Sequence, residues 1–195
     1  MKTYTKTIEA PRLEITHDEY ASSPREWDNL GYFITKQRNK ISPNGAQFPE
    51  IDAIVRETGE EAENLEAHKD AIILRIKKEQ GEKVLAIYPV YCYEHGNVVY
   101  RRGTAQGFDV SNCVFYIVTD RSQDRLGTEA RYFENVIDGE LETYTAWANG
   151  EVYDFVLYDE NGEVTDSCGG FYSIEDIREH LPEEWAEEDL TAYQK

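Results

Sequence analysis

Cys92 stands three residues before His95, and a thiol beside an imidazole can make a nucleophile and its base. In an extended strand, however, positions i and i+3 point to opposite faces, so the pair works only if the following turn rewinds the chain. A buried strand cysteine is otherwise an inert apolar group. Adding Cys113 and Cys168 completes a Cys3His zinc set in number, but successive separations of 3, 18 and 55 residues lack the paired knuckles of a zinc site. Asp159-Glu160-Asn161-Gly162-Glu163 with Asp166 has a calcium-loop composition without the loop's ligand order, and Asn161-Gly162 between two apolar runs specifies a two-residue hairpin turn instead. Trp27-Asp28-Asn29 precedes an apolar run, where Asp28 could act as a general base or ligand at a strand mouth. As a turn, the same residues hydrogen-bond the local backbone and Trp27 packs on the core. No P-loop, G-x-G-x-x-G, H-E-x-x-H or G-x-S-x-G sequence is present, and no cofactor is implied.

Charge gives a stronger signal than any of these constellations. The chain of 195 residues has a formal net charge of −19, and the segment from Phe133 to Lys195 holds 18 acids against only Arg178 and Lys195. That segment carries −16, leaving −3 for residues 1–132. A one-signed surface repels nucleic acid and anionic membranes and attracts basic proteins. The local basic pairs Lys77-Lys78 and Arg101-Arg102 have no interleaved aromatics, so direct nucleic-acid binding is not expected. The densest acid cluster is Glu183-Glu184-Trp185-Ala186-Glu187-Glu188-Asp189. On a helix, Glu184, Glu187 and Glu188 share one face, and acids suit its N-terminal half.

The elements that position these groups read as α+β. Residues 12–16 alternate as a short strand, and 30–35 and 112–119 read as buried strands. Residues 83–93 and 98–101 flank a Glu-His-Gly-Asn turn, and 152–158 with 164–167 flank Asn161-Gly162. Ile51, Ile54 and Val55 keep helical spacing, as do Leu65, His68, Ile72, Ile73, Leu74 and Ile76 in a helix expected over 61–79. A long helix is expected over 121–149, bent or split at Gly139. Two short helices close the chain, one N-capped by Ser173 and one starting at Pro182. Hairpins with helices between them predict a mainly antiparallel sheet in a single α+β domain, residues 1–195. The odd, widely spaced cysteines, an N-terminus without an apolar signal region and the absence of a long apolar run read as a cytoplasmic protein with reduced thiols.

Three blocks resemble a known group. They are Pro24-Arg25-Glu26-Trp27-Asp28-Asn29-Leu30-Gly31, the Tyr-rich strands of 87–119, and 142–172 with Asp166-Ser167-Cys168-Gly169-Gly170-Phe171-Tyr172. Their order resembles small acidic proteins encoded by bacteriophages and other mobile elements, which read PREWDNLG near the start and DSCxGFYG near the end. That group has no established biochemical activity, so the resemblance implies a phage setting in a bacterial host and marks Trp27, Asp28, Asn29, Gly31, Asp166, Cys168, Gly170, Phe171 and Tyr172 as family-motif residues. This chain departs from the pattern at 35–39, where the group often has a Trp-His-Arg-Arg-Tyr-like stretch, and at Gly169, where it often has an aromatic.

Three functional expectations follow. The first is an interaction protein, more an inhibitor than an enzyme, presenting acids to a basic host protein that binds nucleic acid. Glu175, Asp176, Glu183, Glu184, Glu187, Glu188 and Asp189 would supply the field and Trp185 an aromatic anchor. The second is a small enzyme or metal-binding protein with a site gathering Asp28, His95 and Cys168. The third is a structural or assembly protein, as a homodimer.

Overall fold

A computed structural model describes residues 11–35, 65–185, 187 and 189–193. The helix expected around Ile51–Val55 lies outside the described residues. The class is α+β with antiparallel sheets, as the hairpin pattern predicts. The chain forms two compact units: a terminal unit, Met1–Ser22 with Ala146–Lys195, and a central unit, Ser23–Thr145.

The central unit holds strands β2 (Tyr32–Thr35), β3 (Val84–His95), β4 (Asn97–Arg102) and β5 (Val110–Thr119), in the sheet order β2-β5-β3-β4. The two-residue period of β5 gives each face a different job. Phe115 and Ile117 meet Ile72 and Ile76 of helix α1 (Leu65–Gln80), together with Tyr32, Val84 and Ile87. Tyr116 points to the opposite face and reaches Glu140 of helix α3 (Phe133–Ala148). The apolar side of α1 is narrower than its composition predicts, because Ile73 and Leu74 are exposed. The β3–β4 turn is tighter than expected: His95 pairs with Asn97 around Gly96, whose φ of +85° favours glycine.

The expected 121–149 helix is two helices, and Gly139 is not the break. Helix α2 (Asp120–Leu126) ends at Gly127, a left-handed C-cap with φ +64°, whereas Gly139 sits inside α3. Thr119 caps α2 by accepting from the Ser122 amide, and Ser122 reciprocates toward the Thr119 amide.

The terminal unit holds strands β1 (Arg12–His17), β6 (Tyr153–Tyr158) and β7 (Val164–Phe171), in the sheet order β1-β6-β7. Leu13 pairs with Leu157 and Ile15 with Phe155, so one face is apolar. Phe171, Ile177 of helix α4 (Ile174–Arg178), Leu190 and the partly buried Trp185 pack with this face. Truncating one such buried side chain to alanine costs about 2–5 kcal/mol. Ser173 caps α4 by accepting from the Asp176 amide, as its position predicts.

Two expectations here are corrected. The β6–β7 connection is not a two-residue Asn-Gly turn: Tyr158 pairs with Val164 across five loop residues, and Asn161 does not have positive φ. Asp159 instead organises the loop by accepting from the amides of Asn161 and Glu163, while Gly162 takes φ +75°. The helix expected from Pro182 is replaced by separate 3-10 turns, Glu183–Trp185 and Leu190–Tyr193. Glu184 lies in the first 3-10 turn and Glu187 in a turn beyond it, so these two do not share an α-helix, and Glu188 lies outside the described residues. Among the described residues, no helix is long and apolar enough to cross a membrane.

Candidate functional site

The PREWDNLG block folds into an anchored turn. The Ser23 hydroxyl accepts from the Arg25 amide at 3.3 Å, and Pro24 starts a 3-10 turn over Pro24–Glu26. The Asn29 side-chain amide donates to the carbonyls of Pro24 at 2.7 Å and Trp27 at 3.0 Å, the local bonding expected of this turn. The Arg25 guanidinium is buried and donates to Asn29 Oδ1 at 2.6 Å and to Glu140 Oε2 at 3.0 Å. Glu140 also accepts from the Leu30 amide at 2.8 Å and from the Tyr116 hydroxyl, which in turn accepts from the Gly31 amide at 2.7 Å. A Cβ at Gly31 would lie 2.1 Å from the Ile117 carbonyl oxygen, so no side chain fits there.

Burial raises the Tyr116 hydroxyl pKa, Glu140's charge adds to this, and Arg25 opposes it. The Tyr144 hydroxyl, beside the same guanidinium, is pushed up to about 12, first by burial and against Arg25. Both phenols therefore stay protonated and can donate. The network fixes the backbone leading into β2, so most of the PREWDNLG block has a structural duty.

The same turn walls a cleft of about 350 Å³. Trp27 and Asp28 of the turn line it together with Arg121 and Arg125, one helical turn apart on α2. Trp27 does not pack on the core as expected; it is 49% exposed. Arg125 donates to the Asn29 carbonyl at 2.8 Å and lies 3.4 Å from Asp28, while Arg121 lies 3.4 Å from Glu82.

The composite site of Asp28, His95 and Cys168 has its members on separate elements. Asp28 precedes β2, whose Tyr32 pairs with Ile117 near the end of β5. His95 follows Tyr93, which pairs with Val110 at the start of β5. Seven residues of strand, roughly 23 Å, separate those ends. Cys168 is exposed on β7 of the terminal unit. Cys92 is buried, whereas His95 is exposed and 3.1 Å from Asp109, so thiol and imidazole diverge as the strand period predicts. Among the described residues, no group of three His, Cys, Asp or Glu side chains is placed to hold a metal.

No family model, curated protein or solved structure matches the chain. The functional reading therefore rests on the electrostatics of the two units. The terminal unit has 18 acids and five bases, a net −13, and the central unit 21 acids and 15 bases, a net −6.

The acidic segment does not behave uniformly from Phe133 onward. On α3, Glu134 and Asp138 are 3.1 and 3.0 Å from Arg102, and Glu140 holds Arg25. In the terminal unit, Glu160, Glu163, Asp166, Glu175, Asp176, Glu179, Glu183, Glu187 and Asp189 are exposed. Its two described arginines are already matched, Arg12 to Glu14 and Arg178 to Glu175. The Arg178 contact holds the exposed Glu175 carboxyl below its usual range.

Of the expected interaction residues, the structure leaves Glu175, Asp176, Glu183, Glu187 and Asp189 in solvent. Glu188 and the Glu184 side chain lie outside what is described. Trp185 differs from expectation: it packs against the apolar cluster of the terminal unit. In the third of the three blocks, Phe171 is buried against Phe155 and His180, Gly170 has φ +87°, and Asp166 and Cys168 are exposed on β7. Tyr172 has a raised hydroxyl pKa, from burial first and Asp18 second. At Gly169, where the resembled group often has an aromatic, a Cβ would meet Asp18 Oδ2 at 2.8 Å.

Proposed function

We propose that this chain is a phage or mobile-element accessory protein that acts by protein–protein interaction. Its terminal unit presents carboxylates to the basic groove of a host protein that binds nucleic acid, in the manner of an inhibitor of host defence or nucleic-acid processing. The observation that carries this reading is the state of the charges there: nine named carboxylates face solvent while both described arginines are neutralised by their own neighbours. Carboxylates held in solvent around a small apolar core raise the field outside the unit and do little for its folding. The three-block resemblance supplies the phage setting.

The test is competition. Partners captured from bacterial lysate at low salt are challenged with duplex DNA, at low and at physiological ionic strength. Duplex DNA and salt should each release them, because exposed charge pairs are screened beyond about 8–10 Å. Reversing Glu183, Glu187 and Asp189 to lysine should abolish capture. Capture that is indifferent to salt, DNA and charge reversal contradicts the proposal.

A further inference from the structure

The cleft beside the PREWDNLG turn is unlike the rest of this acidic protein, because three guanidiniums, Arg25, Arg121 and Arg125, line it. Three carboxylates, Glu26, Asp28 and Glu82, line it as well, so its wall is balanced in a chain of net −19. Arg25 is committed to Glu140 and Asn29. Arg121 and Arg125 are more exposed, at 80% and 50%, and their carboxylate contacts are 3.4 Å long, although Arg125 also donates to the Asn29 carbonyl at 2.8 Å. Contacts of that length and exposure are weak and readily exchanged. A phosphate monoester offers such a pair of guanidiniums a stronger, forked interaction.

Two further features narrow the ligand. Trp27 offers a half-exposed indole at the same cleft, and aromatic faces stack on nucleobases without regard to sequence. Asp28 and Glu82 can accept from ribose hydroxyls or an exocyclic amine. The volume, about 350 Å³, lies at the small end of ligand sites and suits one nucleotide. A strand carrying many phosphates would meet the negative field of the whole chain, whereas a single phosphate needs only the local pair.

We infer that this cleft binds a nucleoside monophosphate, with the base on Trp27 and the phosphate on Arg121 and Arg125. The inference stands on the central unit alone and does not depend on the acidic surface.

Isothermal titration of the full chain with the four ribonucleoside monophosphates, the matching nucleosides and inorganic phosphate tests it. At least one monophosphate should bind with a Kd below a millimolar, and more tightly than its nucleoside or inorganic phosphate. Arg121→Ala, at an exposed position, should weaken that binding about tenfold. Trp27→Ala should weaken it by a similar factor while leaving inorganic phosphate unchanged within about twofold. The inference is overturned if no monophosphate binds at millimolar concentration. It is equally overturned if nucleosides or inorganic phosphate bind as tightly as the monophosphates, or if neither variant changes the affinity while circular dichroism shows both folded.

Discussion

The central and terminal units use the same residue types for different ends. In the central unit, described carboxylates on α3 meet arginines: Glu140 meets Arg25, and Glu134 and Asp138 meet Arg102. The Arg25–Glu140 pair is desolvated, with side chains 1% and 16% exposed, and it closes a network that includes two backbone amides and a phenol. In the terminal unit, an apolar cluster around Ile15, Phe155 and Ile177 holds the sheet, and the acids stand outside it. Charge is thus a structural component of one unit and a surface property of the other. The boundary matters more than the total, because Glu134, Asp138 and Glu140 of α3 are engaged by arginines of their own unit.

Substitutions that touch the two kinds of charge should separate sharply. The largest effect is expected at Gly31→Val, where the new Cβ would overlap the Ile117 carbonyl and the Tyr116 ring. Such overpacking against backbone should cost more than about 4 kcal/mol in urea unfolding, enough to prevent the central unit from folding. Next is Arg25→Met, which strands Glu140 in a buried site and should cost about 3–5 kcal/mol. The double variant Arg25→Met with Glu140→Met should recover much of that loss, since neither charge then remains uncompensated. A double variant as unstable as the single one would mean that the network's hydrogen bonds to backbone, not the ion pair, dominate.

The central unit should also lose stability in alkali. Tyr144 deprotonates near 10.0 in the unfolded chain and is pushed up to about 12 in the folded one. A raised folded pKa gives stability that is complete below the unfolded value and is lost as pH rises between the two. A rise of that size is worth about 3 kcal/mol at most. The folded pKa values of Tyr32, Tyr100 and Tyr116, also in the central unit, are raised mainly by burial as well. Denaturant midpoints should therefore fall between pH 10 and 12, and Tyr144→Phe should flatten part of the slope. The smallest effect is expected from Ser173→Ala, which removes the cap of α4 and should cost about 1 kcal/mol, read in the terminal unit alone.

Much of the architecture was legible because it rests on local signals. Alternation located β1 and an apolar run located β5, and Ser173 and Gly96 marked a cap and a turn. The errors are equally physical. Asn161-Gly162 resembled a tight hairpin, but Asp159, two residues earlier, captures two amides and lengthens the loop. Gly139 suggested a break, yet a helix tolerates an isolated glycine, and the break fell at Gly127, which takes the left-handed conformation.

The site was less legible than the fold. Trp27, Asp28 and Asn29 were identified by block and by turn chemistry, but Arg25 and Glu140 are 115 residues apart and nothing local links them. Arg121 and Arg125 carried a one-turn spacing that a search for cation pairs on short helices would find. Each indole's environment depends on tertiary neighbours: Trp27, expected on the core, is half exposed, and Trp185 packs partly against the apolar cluster of the terminal unit.

The most direct test of the contrast between the units is residue-resolved titration of the isotope-labelled protein with a lysine-rich peptide, followed by amide chemical shifts. Perturbations concentrated at 159–167 and 175–189, fading as salt rises and absent after reversal of Glu183, Glu187 and Asp189, are the predicted result. Perturbations spread evenly over both units, or centred on Glu134 and Asp138 of α3, would contradict the account.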